Sequence, residues 1–198
     1  LSFDEVRTLR YKSSVRCPDL VSSKLMEKSI IEAKSEGDSV GGIVECVGLN
    51  VPVGVGDPVF DSLDSDIAKI VLSIPAVKGV EFGVGFMAAK LKGSENNDQY
   101  ALGGGKVVTT SNNAGGILGG LSSGMPVILS VAFKPTPSIG LDQRTIDLKT
   151  MKETSLKISG RHDPCVVPKA VLAVESAVAI VLVDHLIRAG CISNIVRK

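Results

Sequence analysis

From Val171 to Val183 the chain is almost free of charge, with Glu175 as the one ionisable side chain. This run follows directly on Gly160-Arg161-His162-Asp163-Pro164-Cys165 and Pro168-Lys169-Ala170. An apolar run of that length reads as a helix that has to bury its surface. A fixed cation, an imidazole and a carboxylate in succession are more than a solvated loop needs. The pairing predicts a loop held at a buried site, with the helix as its anchor. Pro168 suits the first turn of that helix and Gly190 its C-terminal cap. Glu175, Asp184 and His185 interrupt the run, which is therefore expected to be too short and too broken to span a bilayer.

Composition narrows the classes of function. The 198 residues suffice for one sizeable domain or two small ones, and hydrophobic residues make up 44%, enough for a real core. Aromatics are 4% and Trp is absent, so Val, Ile, Leu and Ala must build that core. The net charge of +1 gives no global attraction to nucleic acid or an anionic membrane, and no basic stripe is interleaved with aromatics. Cys17, Cys46, Cys165 and Cys191 form no CxxC pair. That spacing favours reduced thiols over a zinc site or a disulfide scaffold. The opening Leu1-Ser2-Phe3-Asp4-Glu5 is polar and unlike a signal peptide, so with reduced thiols a cytosolic or organellar location is expected, cytoplasm or plastid once the resemblance below is considered, with no membrane and no nucleic-acid partner.

Periodicity places the elements. Ser22 or Ser23 is expected to cap a helix over about 24–36, ended by Gly37. Val40–Val47 reads as a strand with Val44 and Cys46 on one side. A second helix starts at Asp61 or Ser62, places Leu63, Ile67, Ile70, Val71 and Ile74 at helical spacing, and stops at Pro75. Val77–Phe86 reads as a strand. Gly93–Gly124, with two glycine clusters, is expected to form long mobile loops ordered by a ligand or partner. Val127, Leu129, Val131 and Phe133 alternate as a strand, and Thr145–Leu148 is a short one. Helices do not regularly separate the strands, so the fold class is α+β.

Three motifs carry chemistry, each with a plain structural counterpart. Lys134-Pro135-Thr136-Pro137-Ser138 comes off a strand as a cation with two hydroxyls and two fixed φ angles. It is either a rigid anion cradle or an ordinary Pro-rich turn. Gly115-Gly116-Ile117-Leu118-Gly119-Gly120 lacks phosphate-loop and dinucleotide spacing. It either admits a phosphate or flat ring to the backbone or is a flexible surface loop. Arg161 and Asp163 are either a site or a structural pair capping the last helix. His162 and His185 lack metal-ligand spacing, and His185 reads as a core or helix-end residue. Asp57 is a turn residue, and no Ser, His and Asp arrangement suggests nucleophilic catalysis.

Seven stretches, in order, resemble chorismate synthase. They are Gly37-Asp-Ser-Val-Gly41, Val53–Asp61 with Leu63-Asp64, Ala76–Glu81, Gly93–Asn96, Ser111–Gly120, Lys134-Pro-Thr136 and Gly160–Cys165. The resemblance implies an α+β sandwich of antiparallel sheet and helices, a homotetramer in the intact enzyme, and a carbon–oxygen lyase of aromatic amino-acid biosynthesis. The implied reaction is the anti-1,4-elimination of phosphate from 5-enolpyruvylshikimate 3-phosphate, giving chorismate. It implies reduced FMN as cofactor, with NADPH or a partner reductase as the source of electrons. Carried over by position, Pro75 and Ala76 touch FMN, Gly119 offers a backbone approach to it, and Lys134, Pro135, Thr136, Pro137 and Ser138 form the flavin-binding turn. Arg161 lies near flavin and substrate, and Asp163 manages a proton at the flavin N5. No metal is implied.

Members of that family are nearly twice this length, and their N-terminal half carries a Gly-Glu-Ser-His-Gly-type motif, a second histidine and phosphate-gripping arginines. None is present in these residues. The expectation is a single core domain over 1–198, a fragment of a longer chain that folds but has negligible turnover alone. The rival readings are a scaffold or oligomerisation module with a vestigial flavin site, and a general anion-binding domain.

Overall fold

A computed structural model of the chain describes residues 1–193. In chain order the elements are α1 (Phe3–Leu9), α2 (Leu20–Ser35), β1 (Gly42–Gly48), α3 (Leu63–Leu72), β2 (Val77–Phe82), a 3₁₀ turn (Gly85–Lys90) and α4 (Gly93–Asn96). They continue with β3 (Tyr100–Gly103), β4 (Lys106–Thr109), β5 (Ile117–Leu118), β6 (Leu121–Ser122), β7 (Val127–Phe133), β8 (Gln143–Asp147), β9 (Lys152–Leu156) and α5 (Val167–Arg188). The mixture is α+β, as expected. The residues group into two compact units: Leu1–Gly42 with Phe133–Val171, and Ile43–Ala132 with the chain from Leu172 onward.

In the first unit, α1 begins with a capping box that the sequence reading passed over as a merely polar opening. The Ser2 hydroxyl accepts from Glu5 N, and the Glu5 carboxylate accepts from Ser2 N, so each side chain satisfies the other residue's orphan amide. Helix α2 starts four residues before its expected start at about 24, because Asp19 is the cap and accepts from Val21 N and Ser22 N. Ser23 is instead buried, bonded to the Ser13 hydroxyl at 2.7 Å. The chain leaves α2 through Gly37 at φ +72°, the left-handed conformation that ends helices. Strand β8 covers part of the expected 145–148 strand, and its antiparallel partner β9 was not expected. Four of the five β9 residues are polar or charged and all five are exposed, so no alternation marks it.

In the second unit, β1, β7 and β2 form a three-stranded sheet with β7 in the middle. A central strand is covered on both sides, and Val127, Leu129 and Val131 are fully buried. Helix α3 presents Leu63, Ile67 and Val71, all buried, one helical turn apart at i, i+4 and i+8. From Leu172 onward α5 buries Val174, Ala177, Val178, Val181 and His185 on one stripe. The His185 Nε2 lies 3.0 Å from the Asp66 carboxylate on α3. His185 is therefore a core residue, one of the two readings the sequence allowed. The expectation that the apolar run is too short for a bilayer is corrected: α5 has 22 residues and an 18-residue window of mean hydropathy 2.1, enough to cross by length and composition. A core helix meets the same description, and the buried stripe ending in a hydrogen-bonded histidine is that of a core helix.

Two expectations in this unit give way. Strand β2 ends at Phe82 rather than Phe86, because Gly83 at φ +56° turns the chain and Glu81 accepts from Phe86 N at 3.1 Å. Gly93–Gly124 is not a set of long loops but holds α4 and two hairpins, β3–β4 and β5–β6. Glycines there satisfy tight packing as well as turns, which composition does not distinguish.

Truncating the central strand tests this core. Leu129→Ala is expected to cost about 2–5 kcal/mol, read as a lower chemical-denaturation midpoint, whereas Leu102→Ala, at a position 84% exposed, stays within about 0.5 kcal/mol.

Candidate functional site

The first unit brings together the Pro-rich turn, the Arg161 loop and the Gly37–Gly41 segment. The last acts as a frame. Gly140 N donates to Gly37 O at 2.7 Å, Val40 N to Pro164 O at 2.8 Å, and the Ser39 hydroxyl to Thr136 O at 2.6 Å. A Cβ on Gly41 would lie 2.3 Å from Phe133 O and 3.1 Å from the Pro135 ring, so only glycine allows the segment to lie against the turn. Gln143 Nε2 donates to Pro137 O at 3.3 Å. The turn is thus held through its carbonyls, while among the described residues exposed Lys134 makes no ion pair and buried Thr136 Oγ1 has no hydrogen-bond partner.

Arg161 and Asp163 do not pair. The Lys169 ammonium, on the first turns of α5, donates to Asp163 Oδ2 at 2.6 Å. That hydrogen bond, then the Lys169 charge, holds the Asp163 carboxyl below its ordinary pKa. The pair closing onto the last helix is therefore Asp163–Lys169, not the Arg161–Asp163 pair that the sequence left open. Arg161 is exposed and makes no ion pair among the described residues. With Ser138, His162, Pro164, Lys34 and Asp38 it lines a cleft of about 260 Å³ within this unit. His162 packs over Gly160, and its Nε2 is buried without a hydrogen-bond partner. Arg161 and Asp163 are themselves exposed, and the cleft lining sets Lys34 and Arg161 beside Asp38.

Pro75, Ala76 and Gly119 belong to the second unit. Pro75 and Ala76 form the turn from α3 into β2, and Ala76 holds φ +73°, a conformation costly for a residue with a Cβ. Gly119 and Gly120 are the two-residue turn of β5–β6, at φ +59° and +82°, the geometry that matches strand twist in tight hairpins. The glycines of the 115–120 run have different reasons to be glycine. A Cβ on Gly115 or Gly116 would lie 2.3 Å from backbone atoms, and one on Gly120 would lie 2.6 Å from Ser62 Cβ, whereas one on Gly119 would meet nothing within 4 Å. The run is a packed hairpin, not the flexible loop of the plain reading, and Gly119 alone of the four leaves its backbone open to approach.

Two residues that hold these segments were missed. Ser39 anchors the Pro-rich turn from 97 positions away. Asp98 accepts from Ser111 Oγ, Asn113 N and Ala114 N at 2.7, 2.7 and 2.9 Å. Partial burial pushes the Asp98 pKa up, but the hydrogen bonds from Ala114, Ser111 and Asn113 outweigh it and leave it below the ordinary value. Ser39 lies in the Gly37–Gly41 stretch that carries the resemblance, but nothing local marks its anchoring role, and Asp98 has no local signal at all, because the partners of both are distant in the chain. Among the described residues no three His, Cys, Asp or Glu side chains come together as metal ligands.

The two turn glycines give a contrast. Gly119→Ala is expected to cost roughly 1–2 kcal/mol, the backbone strain of a left-handed residue. Gly120→Ala carries the same strain plus the Ser62 clash, so its denaturation midpoint falls clearly below that of Gly119→Ala; equal midpoints would contradict this packing.

The family model for chorismate synthase matches residues 2–187. A chorismate synthase of Dehalococcoides mccartyi is 55% identical over 194 residues, covering 98% of this chain and 53% of that protein. One from Methanosarcina barkeri is 51% identical over 193 residues, covering 98% and 53%. A crystal structure of chorismate synthase superposes with a TM-score of 0.76 at 32% identity, covering 93% of this chain and 48% of the other. The chain spans about half the length of the curated relatives it matches. The likeness runs through both units, and through the Pro-rich turn, the glycine hairpin and the Arg161 loop that carry the resemblance: the chain belongs to the chorismate synthase family.

Proposed function

We propose that this chain supplies part of a site for reduced FMN and 5-enolpyruvylshikimate 3-phosphate, in an enzyme that eliminates phosphate to give chorismate. The observation that carries the reading is a pair of exposed cations in the first unit that make no direct ion pair among the described residues. Lys134 and Arg161 are both exposed and neither has an ion pair among the described residues, whereas Lys169 is committed to Asp163. Exposed cations held on framed turns suit an anionic ligand. The buried, unpartnered Thr136 Oγ1 adds a polar group to the same turn.

Each residue has a role that its surroundings allow. The framed turn 134–138 would grip the cofactor's anionic groups through the Lys134 ammonium and the Ser138 hydroxyl, with Pro135 and Pro137 limiting its freedom. Arg161 can grip a phosphate or carboxylate in a bidentate way. Asp163 is held ionised by Lys169, so at neutral pH it takes up or orients a proton rather than donating one. In the second unit, Gly119 offers unhindered backbone and Ala76 a turn held in a sparsely populated conformation. Reduced FMN, when bound, supplies electron density as the phosphate leaves. NADPH or a separate reductase would keep it reduced.

The charge inventory sets the expected behaviour of the 198-residue chain. Cofactor and substrate together bring two phosphates and two carboxylates, more charge than Lys134 and Arg161 can neutralise. Fluorescence titration is expected to show weak FMN binding that Arg161→Ala weakens further. Assays with reduced FMN and substrate are expected to show negligible turnover. Turnover at the level of an intact chorismate synthase would contradict the inactivity, and FMN binding indifferent to Arg161→Ala would contradict the site.

A second reading, a scaffold that assembles copies of the protein, is favoured by the outer side of α5 in the second unit. There Leu172, Ile180 and Val183 are exposed, Ile180 to 61%. Light scattering after size exclusion is expected to show a homotetramer if assembly uses this chain. A monomer at micromolar concentration would remove the scaffold reading.

A further inference from the structure

The Asp98 carboxylate sits at the mouth of the β3–β4 hairpin but is not needed to close it. The ladder from Tyr100↔Thr109 to Gly103↔Lys106 and the bond from Thr110 N to Gln99 O at 2.8 Å already do so. Its three hydrogen bonds reach beyond the ladder to Ser111, Asn113 and Ala114. The Asn113 amide adds two more to the same side, donating to the carbonyls of Glu95 and Asn96. From the opposite side Val84 N donates to Asn113 O at 2.9 Å, and a Cβ on Gly83 would lie 2.0 Å from that oxygen. The turn 111–114 is therefore clamped between Asp98 and Gly83–Val84. The next two residues, Gly115 and Gly116, have no room for a Cβ: one would lie 2.8 Å from Ile128 O and 2.3 Å from Pro126 O, respectively. Immediately after them β5 leads to Gly119.

We propose that Asp98 is a positioning residue of the flavin site, whose carboxylate fixes the turn 111–114 and so aims the Gly119 hairpin. The proposal rests on the flavin reading of Gly119 given above. The carboxylate chemistry is specific. Oδ1 accepts from both Ser111 Oγ and Asn113 N, while Oδ2 accepts from Ala114 N. An asparagine keeps an acceptor at the first position but sets an N–H₂ against the Ala114 N–H, leaving that donor without a partner.

The test is amide hydrogen exchange and an amide-shift titration with oxidised FMN, on the 198-residue chain and its Asp98→Asn variant. The Ala114 amide is expected to exchange roughly tenfold faster or more in the variant, with the Leu129 and Val131 amides of β7 unchanged and the FMN-induced shift at Gly119 lost. Ser111→Ala, which keeps the carboxylate, serves if Asp98→Asn does not fold; it should speed exchange at Asn113 and reduce the Gly119 shift. Unchanged Ala114 exchange in folded Asp98→Asn overturns the clamp. Faster exchange with an undiminished Gly119 shift overturns the positioning role. If the unsubstituted chain shows no Gly119 shift while Ala114 exchange still depends on Asp98, the flavin reading fails, and the positioning role with it.

Discussion

The second unit is organised around one polar contact inside an apolar interface, the bond between His185 on α5 and Asp66 on α3. The His185 side chain is 1% exposed and that of Asp66 17%. An imidazole buried that deeply is costly without a partner, and α3 places a carboxylate on its first turn to meet it. Apolar stripes such as Leu63, Ile67 and Val71 on α3, or Val174, Val178 and Val181 on α5, tolerate small slips in register. A histidine that must find one oxygen does not. Arg188 reinforces the arrangement one turn on, at 2.9 Å from Asp184 and 3.6 Å from Asp61, although these exposed pairs contribute little.

With α3 fixed in this way, its exit is fixed too. The helix runs out at Leu72 and the chain reaches β2 through Pro75 and the left-handed Ala76. The start of α3 is tied to the glycine hairpin, because Leu63 N donates to Gly120 O at 3.0 Å. Pro75, Ala76 and Gly119, related only by resemblance in the sequence, are thus attached to the two ends of one helix. In the first unit the corresponding device is hydrogen bonding rather than burial. There Gly37–Gly41 stitches the Pro-rich turn and the Arg161 loop through three main-chain oxygens.

Legibility in the sequence followed the range of the interactions. Strand β7 and helix α3 were readable because alternation and helical spacing are local and one face of each is buried. The start of α2 was misplaced because Asp19, Ser22 and Ser23 are all good caps, and the choice depends on Ser23 being drawn inward to Ser13. Strand β9 was invisible because exposure of both faces erases its pattern. At the site, Lys134, Arg161 and Asp163 were visible by residue type, but their pairing was not. Lys169 lies on a helix that turns it back toward Asp163 and bonds it, while Arg161 acts on that carboxylate only through its charge. The roles of Asp98 and Ser39 had no signal, since a carboxylate or hydroxyl looks the same whether it meets water or a distant backbone group.

The glycines show how the structure separates two meanings that the sequence merges. Gly83, Gly115 and Gly116 are glycine because another backbone passes within 2.0–2.4 Å of where a Cβ would be. Their φ angles of +56°, +65° and +79° follow from that crowding, and the contacts already explain them. Gly119 shares the left-handed φ but not the crowding, so turn geometry explains its conformation and leaves its open face unexplained by the fold. An Asn or Asp would also be accepted in such a turn. A glycine there leaves the backbone bare. Bare backbone beside a closely packed support is what close approach of a flat ligand requires, and the support is Gly115 and Gly116, which follow directly on the 111–114 turn that bonds to Asp98.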